Sequence, residues 1–384
     1  MRILHTSDWH IGRTFHGYST LDALRGVLGA LVGEVRRRDV DVVVVAGDVF
    51  DTGTPAASCY TVLTDALREI GATGARIVLT SGNHDNAARL GFTAPLLRDG
   101  IHVITDPRAV GAPVTIDDAH GPVHFYGIPY LEPAIVRSVW PGAELRTQEH
   151  AIRHAMGLVN ADRAERGGRS VVVSHCFAGD VEPTAGVERE IRQGTLDVVP
   201  LADFGGPDYV ALGHIHGRSR LAENVRYSGA PLHYSFGEGG KPRGAWIVDI
   251  GADGVEGVEW MDLPVPRRLT TLRGPLDDLL TDERLAPHEG DWVCAVLTDP
   301  NPPLEPMRKL KARFPHCATV RIAPEGGADA DRRTFRERVE SARSDGELVD
   351  DFLAHVRGGR RATDAEREII GDVVSTREGA EARA

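Results

Sequence analysis

The sequence predicts an α/β domain on a largely parallel sheet, then a smaller α+β module and a helical tail. Three observations carry this. Strand-length apolar runs at 2–6, 40–46 and 76–80 alternate with helical apolar spacing at 21–38 and 56–70, the signature of an α/β domain. Val42, Val43, Val44 and Val45 form an almost uninterrupted β-branched run, which reads as a strand buried on both faces. Pro264 and Pro266 interrupt any regular element, and beyond them a shorter strand and helix pattern begins.

In order, residues 2–6 form a strand ending at Ser7-Asp8-Trp9-His10. Leu21, Leu24, Leu28, Leu31, Val32 and Val35 share one helix face. The second strand leaves the sheet at Gly47 and delivers Asp48, and a helix carries Tyr60, Leu63 and Leu67 on one face. Residues 76–80 form a strand ending at Ser81-Gly82-Asn83-His84-Asp85. Further strands are expected at 123–127, 170–175, 209–216, 226–228 and 245–250, and a helix at 147–163. The smaller module reads strand 269–272, helix 276–285, strand 292–297, helix 304–314 and strand 318–322. A Gly- and Ala-rich stretch at 324–330 reads as a linker. In the tail, Leu348, Val349, Phe352, Leu353 and Val356 form one apolar stripe, stopped by Gly358-Gly359. Thr363 and Glu366 fit a capping box ahead of a second stripe of Ile369, Ile370, Val373 and Val374. The expected domains are therefore 1–264, 267–323 and a tail at 340–384.

Composition narrows the class. The chain has 384 residues, 41% hydrophobic and 26% charged, with a net charge of −12. That is ordinary globular composition, and the acidity argues against non-specific coating of nucleic acid. A local basic groove stays compatible with it. Cys59, Cys176, Cys294 and Cys317 form no C-x-x-C pair and match no zinc ribbon, so reduced, buried thiols are expected. With neither a signal-like h-region nor a membrane-length apolar run, a cytoplasmic chain is expected by default.

The polar residues at the strand ends carry the chemistry: Asp8 and His10, Asp48, Asn83 and His84, His175, His214 and His216. Singly, each has a plainer explanation: a solvated turn, a helix N-cap, or a hydrogen-bonded histidine. Gly213-His214-Ile215-His216 is the strongest single element, because alternate residues of an extended segment face one way. All five ends follow hydrophobic strands of one domain, and ligands bind at the carboxyl edge of such sheets. Carboxylate, amide oxygen and imidazole together suit Mn²⁺, Fe²⁺ or Zn²⁺, and the lack of thiolates argues against a structural zinc site.

The ordered set Asp8-x-His10, Gly47-Asp48-x-x-Asp51, Gly82-Asn83-His84-Asp85, His175 and Gly213-His214-x-His216 resembles the calcineurin-like metallophosphoesterase signature. Within it, Thr6-Ser7-Asp8-Trp9-His10-Ile11-Gly12-Arg13 and Gly47-Asp48-Val49-Phe50-Asp51-Thr52-Gly53 resemble the SbcD family of nuclease subunits. The later module and tail match that family by layout alone.

The resemblance implies a four-layer α+β sandwich with a capping domain and a helical partner-binding tail. It implies two divalent ions, Mn²⁺ foremost: one on Asp8, His10, Asp48 and His216, the other on Asp48, Asn83, His175 and His214, with Asp48 bridging. His84 would protonate the leaving oxygen or stabilise the phosphate, hydrogen-bonded to the Asp51 side chain. Related protein phosphatases carry arginine directly after the second aspartate. Here Thr52 stands there, which disfavours a phosphoprotein substrate. Arg308, Lys309, Lys311 and Arg313 on the module's second helix are candidate DNA phosphate contacts; a merely solvated helix face is the alternative.

The expected function is thus a DNA nuclease. It would have 3′–5′ double-strand exonuclease and single-strand or hairpin endonuclease activities, and work in DNA repair, recombination and replication. It would act as a dimer with an SbcC-like ATPase docked on the tail, associated with the nucleoid when on DNA. The competing readings are a small-molecule phosphodiesterase and a subunit that mainly tethers DNA ends. The tail stripes could instead pack on the body.

Overall fold

The computed structural model describes residues 1–97, 99–179, 198–324, 344–357 and 361–381. Most of the expected linker at 324–330, and Gly358-Gly359, lie outside them. The chain divides into two compact units, Met1–Arg268 and Leu269–Ala384.

The first unit runs β1 (Arg2–Thr6), a small hairpin of β2 (Thr14–Phe15) and β3 (Tyr18–Ser19), α1 (Leu21–Arg37), β4 (Val42–Ala46), α2 (Ala57–Gly71), β5 (Arg76–Thr80), α3 (Ala87–Gly91) and β6 (Ile101–Ile104). It continues with β7 (Val114–Asp118), β8 (Gly121–Ile128), α4 (Pro133–Val136), α5 (Gln148–Arg166), β9 (Arg169–His175), β10 (Tyr209–Gly213), β11 (Ser219–Arg220), β12 (Val225–Tyr227), β13 (Gly244–Gly251) and β14 (Gly254–Asp262). One six-stranded sheet has the order β14-β13-β1-β4-β5-β6, the other β11-β12-β10-β9-β8-β7. β1, β4, β5 and β6 run parallel, whereas β13 joins β1 antiparallel. In the second sheet β8, β9, β10 and β12 are parallel.

The valine run of β4 shows how the layers stack. Successive strand side chains point to opposite faces. Val43 and Val45 pack under α1 and α2 with Leu24, Leu28, Leu31 and Leu63. Val42, Val44 and Ala46 face the other sheet, meeting Phe125, Val171, Val173 and Ala211. Beyond that sheet, Val172, Val210 and Leu212 pack against Ile152, Met156 and Val159 of α5. The result is helix, sheet, sheet, helix, the expected four-layer sandwich. Burial of each such valine contributes roughly 1.5–3 kcal/mol, so a polar residue on either face of β4 would break a core.

The second unit holds β15 (Leu269–Gly274), α6 (Leu276–Thr281), β16 (Trp292–Leu297), α7 (Pro306–Arg313) and β17 (Cys317–Ile322). Its three strands are parallel in sequence order. Leu272, Leu279, Val293, Leu297, Leu310 and Phe314 form its core. Helices α8 (Asp345–Val356) and α9 (Asp364–Glu381) follow. The capping box is present: Thr363 N–H donates to Glu366 Oε2 at 2.8 Å, and Glu366 N–H to Thr363 Oγ1 at 3.3 Å. Phe352, Val356, Ile369 and Val373 of these helices remain exposed. The four cysteines are free and buried. No described helix is long and apolar enough to cross a membrane.

Two expectations change. The strand expected at 209–216 stops at Gly213, because His214 adopts a φ of 110° that no strand accommodates. Arg313 is not a free cation for DNA. Its guanidinium donates to the carbonyls of Leu279 and Asp282 and pairs with Glu289, so it staples α7 to the preceding segment. Arg308 is exposed and pairs with Glu305; Lys309 and Lys311 are exposed.

Candidate metal centre

Parallel strands put their carboxyl ends on one edge, and β1, β4, β5, β9 and β10 all end here. Asp8 and His10 follow β1, Asp48 follows β4, Asn83 and His84 follow β5, His175 closes β9, and His214 and His216 follow β10. Backbone bonds lace the first loops together: Asp8 N–H to Gly47 O at 3.1 Å, His10 N–H to Asp48 O at 2.9 Å, and Ile11 N–H to Val49 O at 2.9 Å. Such tight loops need unusual backbone. Asp8, His10, Asp48 and His214 all have positive φ, at 52°, 45°, 47° and 110°, and such strain clusters at functional sites. Gly82 leaves no room for a side chain, since a Cβ there would lie 2.1 Å from Asp48 Oδ1.

The expected residues of the metal centre converge. His10 Nε2 and His216 Nε2 face each other at 3.0 Å. His175 Nε2 and His214 Nδ1 each lie 3.0 Å from Asn83 Oδ1. Asp8 accepts from His214 N–H at 3.0 Å, and Ser7 Oγ–H donates to its other oxygen. The Asp48 carboxylate is divided. Oδ1 accepts from His84 N–H at 2.8 Å. Oδ2 faces His175 Nε2 at 3.4 Å and His10 Nε2 at 3.7 Å. One oxygen of Asp48 therefore stands between the two groups of rings.

The donor set fits divalent cations. Ligand atoms of Asp8, His10 and His216 lie within 4.8 Å of one another, as do those of Asp8, Asp48 and His175. The outer nitrogen of His175 is hydrogen-bonded as in metal-ligating histidines, and those of His10 and His216 approach carboxylates. His175 Nδ1–H donates to Ala46 O at 2.9 Å, His10 Nδ1 lies 3.4 Å from Asp51 Oδ1, and His216 Nδ1 lies 3.3 Å from Glu238 Oε1. The inner nitrogens are thereby left to face the centre.

Burial and mutual charge set the ionisation of these groups. Burial pushes the Asp8 carboxyl up to about 8, only partly countered by the charge of His175. Burial works against ionisation of Asp48 as well, yet the charge and hydrogen bond of His175 hold it well below the usual range. Burial likewise disfavours a charged His175, but Asp48 raises it to about 9. Burial and the charge of His175 push His214 down to about 3.

The second aspartate corrects the sequence expectation. His84 Nδ1–H donates to the Asp51 backbone carbonyl at 2.8 Å, whereas the carboxylate stays 3.8 Å away. That carboxylate turns instead to His10 and to Arg13 Nη1, both at 3.4 Å. Arg13 draws the carboxylate toward itself and the His10 ring, and a backbone carbonyl already satisfies His84 Nδ1–H.

Other contributors were given no role by the sequence. Asp85 accepts from the N–H groups of Val49, Phe50 and Gly82 at 3.1, 2.8 and 2.9 Å, so it ties the Asp48 loop to the Asn83 loop. Its place beside Asn83 was a signal of proximity, not of this role. Glu238 and Arg243 are buried behind His216, and no local spacing connects them to it.

A family model for the calcineurin-like phosphoesterases matches residues 1–218. The chain belongs to the calcineurin-like phosphoesterase family. It is accordingly a phosphoester hydrolase of a family that uses divalent metals. A second model, the SbcD C-terminal one, described as the Type 5 capsule protein repressor C-terminal domain, matches 265–357. Together the matches give the SbcD domain order, and the second runs past the smaller module through α8. Among solved structures, a dimetal phosphatase from Danio rerio is similar at 12% identity, covering 69% of this chain and 99% of its own, with a TM-score of 0.40. GAP50, the anchor in the inner membrane complex of Plasmodium, is similar at 12% identity, covering 69% and 89%, with a TM-score of 0.38.

Proposed function

We propose that this calcineurin-like phosphoesterase is a nuclease subunit that hydrolyses DNA phosphodiester bonds at a two-metal centre. It would work as a dimer with an SbcC-like ATPase engaging the exposed apolar residues of α8 and α9. The reading is supported by the clustering of Asp8, His10, Asp48, His175 and His216 in the first unit, joined to an SbcD-type C-terminal match at 265–357. A compact small-molecule phosphodiesterase needs no such addition.

Asp8, His10, Asp48 and His216 would hold one ion, and Asp48, Asn83, His175 and His214 the other, with Mn²⁺ the expected metal. Bound there, the pair would supply a hydroxide nucleophile near neutral pH and neutralise the phosphoryl oxygens. The chain's own residues do the rest. Asp51 orients the His10 ring. His84, with Nδ1–H on the Asp51 carbonyl, presents Nε2 as the group that protonates the departing sugar oxygen. Thr52 is exposed where related protein phosphatases place arginine; a diester whose flanking chain is held elsewhere does without that grip. Lys309, Lys311 and Arg308 of α7 are the remaining candidate phosphate contacts.

The test is incubation of the purified chain with Mn²⁺ and labelled duplex or hairpin DNA, beside Asp48→Ala. Metal-dependent cutting that Asp48→Ala abolishes is expected. Efficient hydrolysis of a small cyclic nucleotide, with no DNA cut even after addition of an SbcC-type partner, would overturn the reading.

A further inference from the structure

Glu238 is wholly buried. Its Oε1 lies 3.3 Å from His216 Nδ1. Its Oε2 accepts from Arg243 Nη2 at 2.8 Å and from Tyr234 N–H at 2.8 Å. Arg243, also buried, donates from Nη1 to the backbone carbonyl of His216 itself. One ion pair thus sets a carboxylate oxygen beside the His216 ring and bonds its backbone carbonyl. Replacing a buried ion pair with hydrocarbon is often neutral or stabilising, so stability is a weak reason for this one. Its placement supplies a stronger one.

The opposite side of the centre is backed differently. His175 leans on the Ala46 carbonyl at 2.9 Å, a neutral acceptor. On the same side as His216, the carboxylate behind His10, Asp51, is partly exposed, so water screens it more than Glu238. A carboxylate behind a ligating imidazole fixes its orientation and raises its basicity; its loss typically costs about 10–100-fold in metal affinity.

We propose that Glu238, held by Arg243, is the positioning residue for His216 and sets the metal affinity of the His10–His216 side of the centre. The Asn83–His175–His214 side lies outside its reach. This rests on the reading that the centre binds metal.

The test is a Mn²⁺ titration of the full chain, followed by calorimetry and by electron paramagnetic resonance of free Mn²⁺. Two binding events are expected. Glu238→Gln, nearly isosteric, should weaken one by about 10–100-fold and leave the other within about twofold. Asn83→Ala should weaken the complementary event. Arg243→Lys keeps a buried cation and should give the same selective loss, without depending on Glu238→Gln to fold. At saturating Mn²⁺, turnover of bis(4-nitrophenyl) phosphate by Glu238→Gln should recover, as a lost positioning residue allows. Both events unchanged, or both weakened equally with a lower melting temperature, would overturn the proposal. No Mn²⁺ binding by the unaltered chain would overturn the metal reading itself, and this proposal with it.

Discussion

Asp85 is the most informative residue to perturb, because one half-buried carboxylate satisfies three backbone donors. Oδ2 accepts from Val49 and Gly82 at 3.1 and 2.9 Å, and Oδ1 from Phe50 at 2.8 Å. Asp85→Ala leaves all three buried donors unpaired, at about 1–3 kcal/mol each. Water entering the vacated space recovers part of this, so the net loss should be about 3–5 kcal/mol. For a unit of this size that corresponds to a fall of about 10 °C in melting temperature. Asp85→Asn should cost less. Its carbonyl can keep the Oδ2 bonds, but its amide would confront the Phe50 N–H, a loss of about 1.5–3 kcal/mol. Both variants also uncouple the Asp48 and Asn83 loops, so Mn²⁺ affinity should fall with stability and in the same order. Scanning fluorimetry of the metal-free chain and Mn²⁺ titration measure the two effects. An Asp85→Ala chain that melts within about 2 °C of the parent and binds Mn²⁺ equally well would refute the reasoning.

His84→Gln should lower the turnover number by about 10²–10⁴-fold with Mn²⁺ binding intact, read by single-turnover cleavage beside a metal titration. Asp51→Asn should instead weaken Mn²⁺ binding by about 10–100-fold, since its carboxylate serves His10 rather than His84; unchanged affinity would count against that assignment. The Arg169 guanidinium holds the Asp118 carboxyl well below the usual range. It therefore stabilises the fold above about pH 4, and the contribution drains away as pH falls below the unfolded value of about 3.9. Asp118→Asn should have a lower urea midpoint at pH 7 and a flatter profile between about pH 4 and 2; parallel curves would contradict this. Lys309→Ala should reduce the slope of log affinity for DNA against log salt by about one, whereas Arg313→Ala should chiefly lower the second unit's melting temperature.

The sequence disclosed most where one physical signal dominated. The β4 valines announced a doubly buried strand, and strand ends at Thr6, Ala46 and Thr80 led directly to Asp8, Asp48 and Asn83. It disclosed less where pairing is non-local. β6 is only four residues long and half-buried, β7 is short and mostly polar, and β14 alternates without a strong apolar face, so only the sheet defines them. The turn at His214 was hidden because a positive φ at a non-glycine residue has no composition signature. The Asp51 carboxylate's choice of His10 over His84 depends on where Arg13 points. Glu238 reaches His216 across a loop of unrelated sequence.

The apolar filling between the two sheets resists their separation, but hydrocarbon contact is non-directional and opposes sliding only weakly. Directional bonds crossing that layer include those of His5 to Tyr209 and Leu212. Others run from His175 to Ala46 and from His214 to Asp8 and Asn83. The first sheet supplies Asp8, His10, Asp48 and Asn83, and the second His175, His214 and His216. An ion bound across that seam would act as a shear pin. It would lock the longitudinal alignment of the two sheets and stabilise the domain in proportion to the logarithm of its concentration over its dissociation constant.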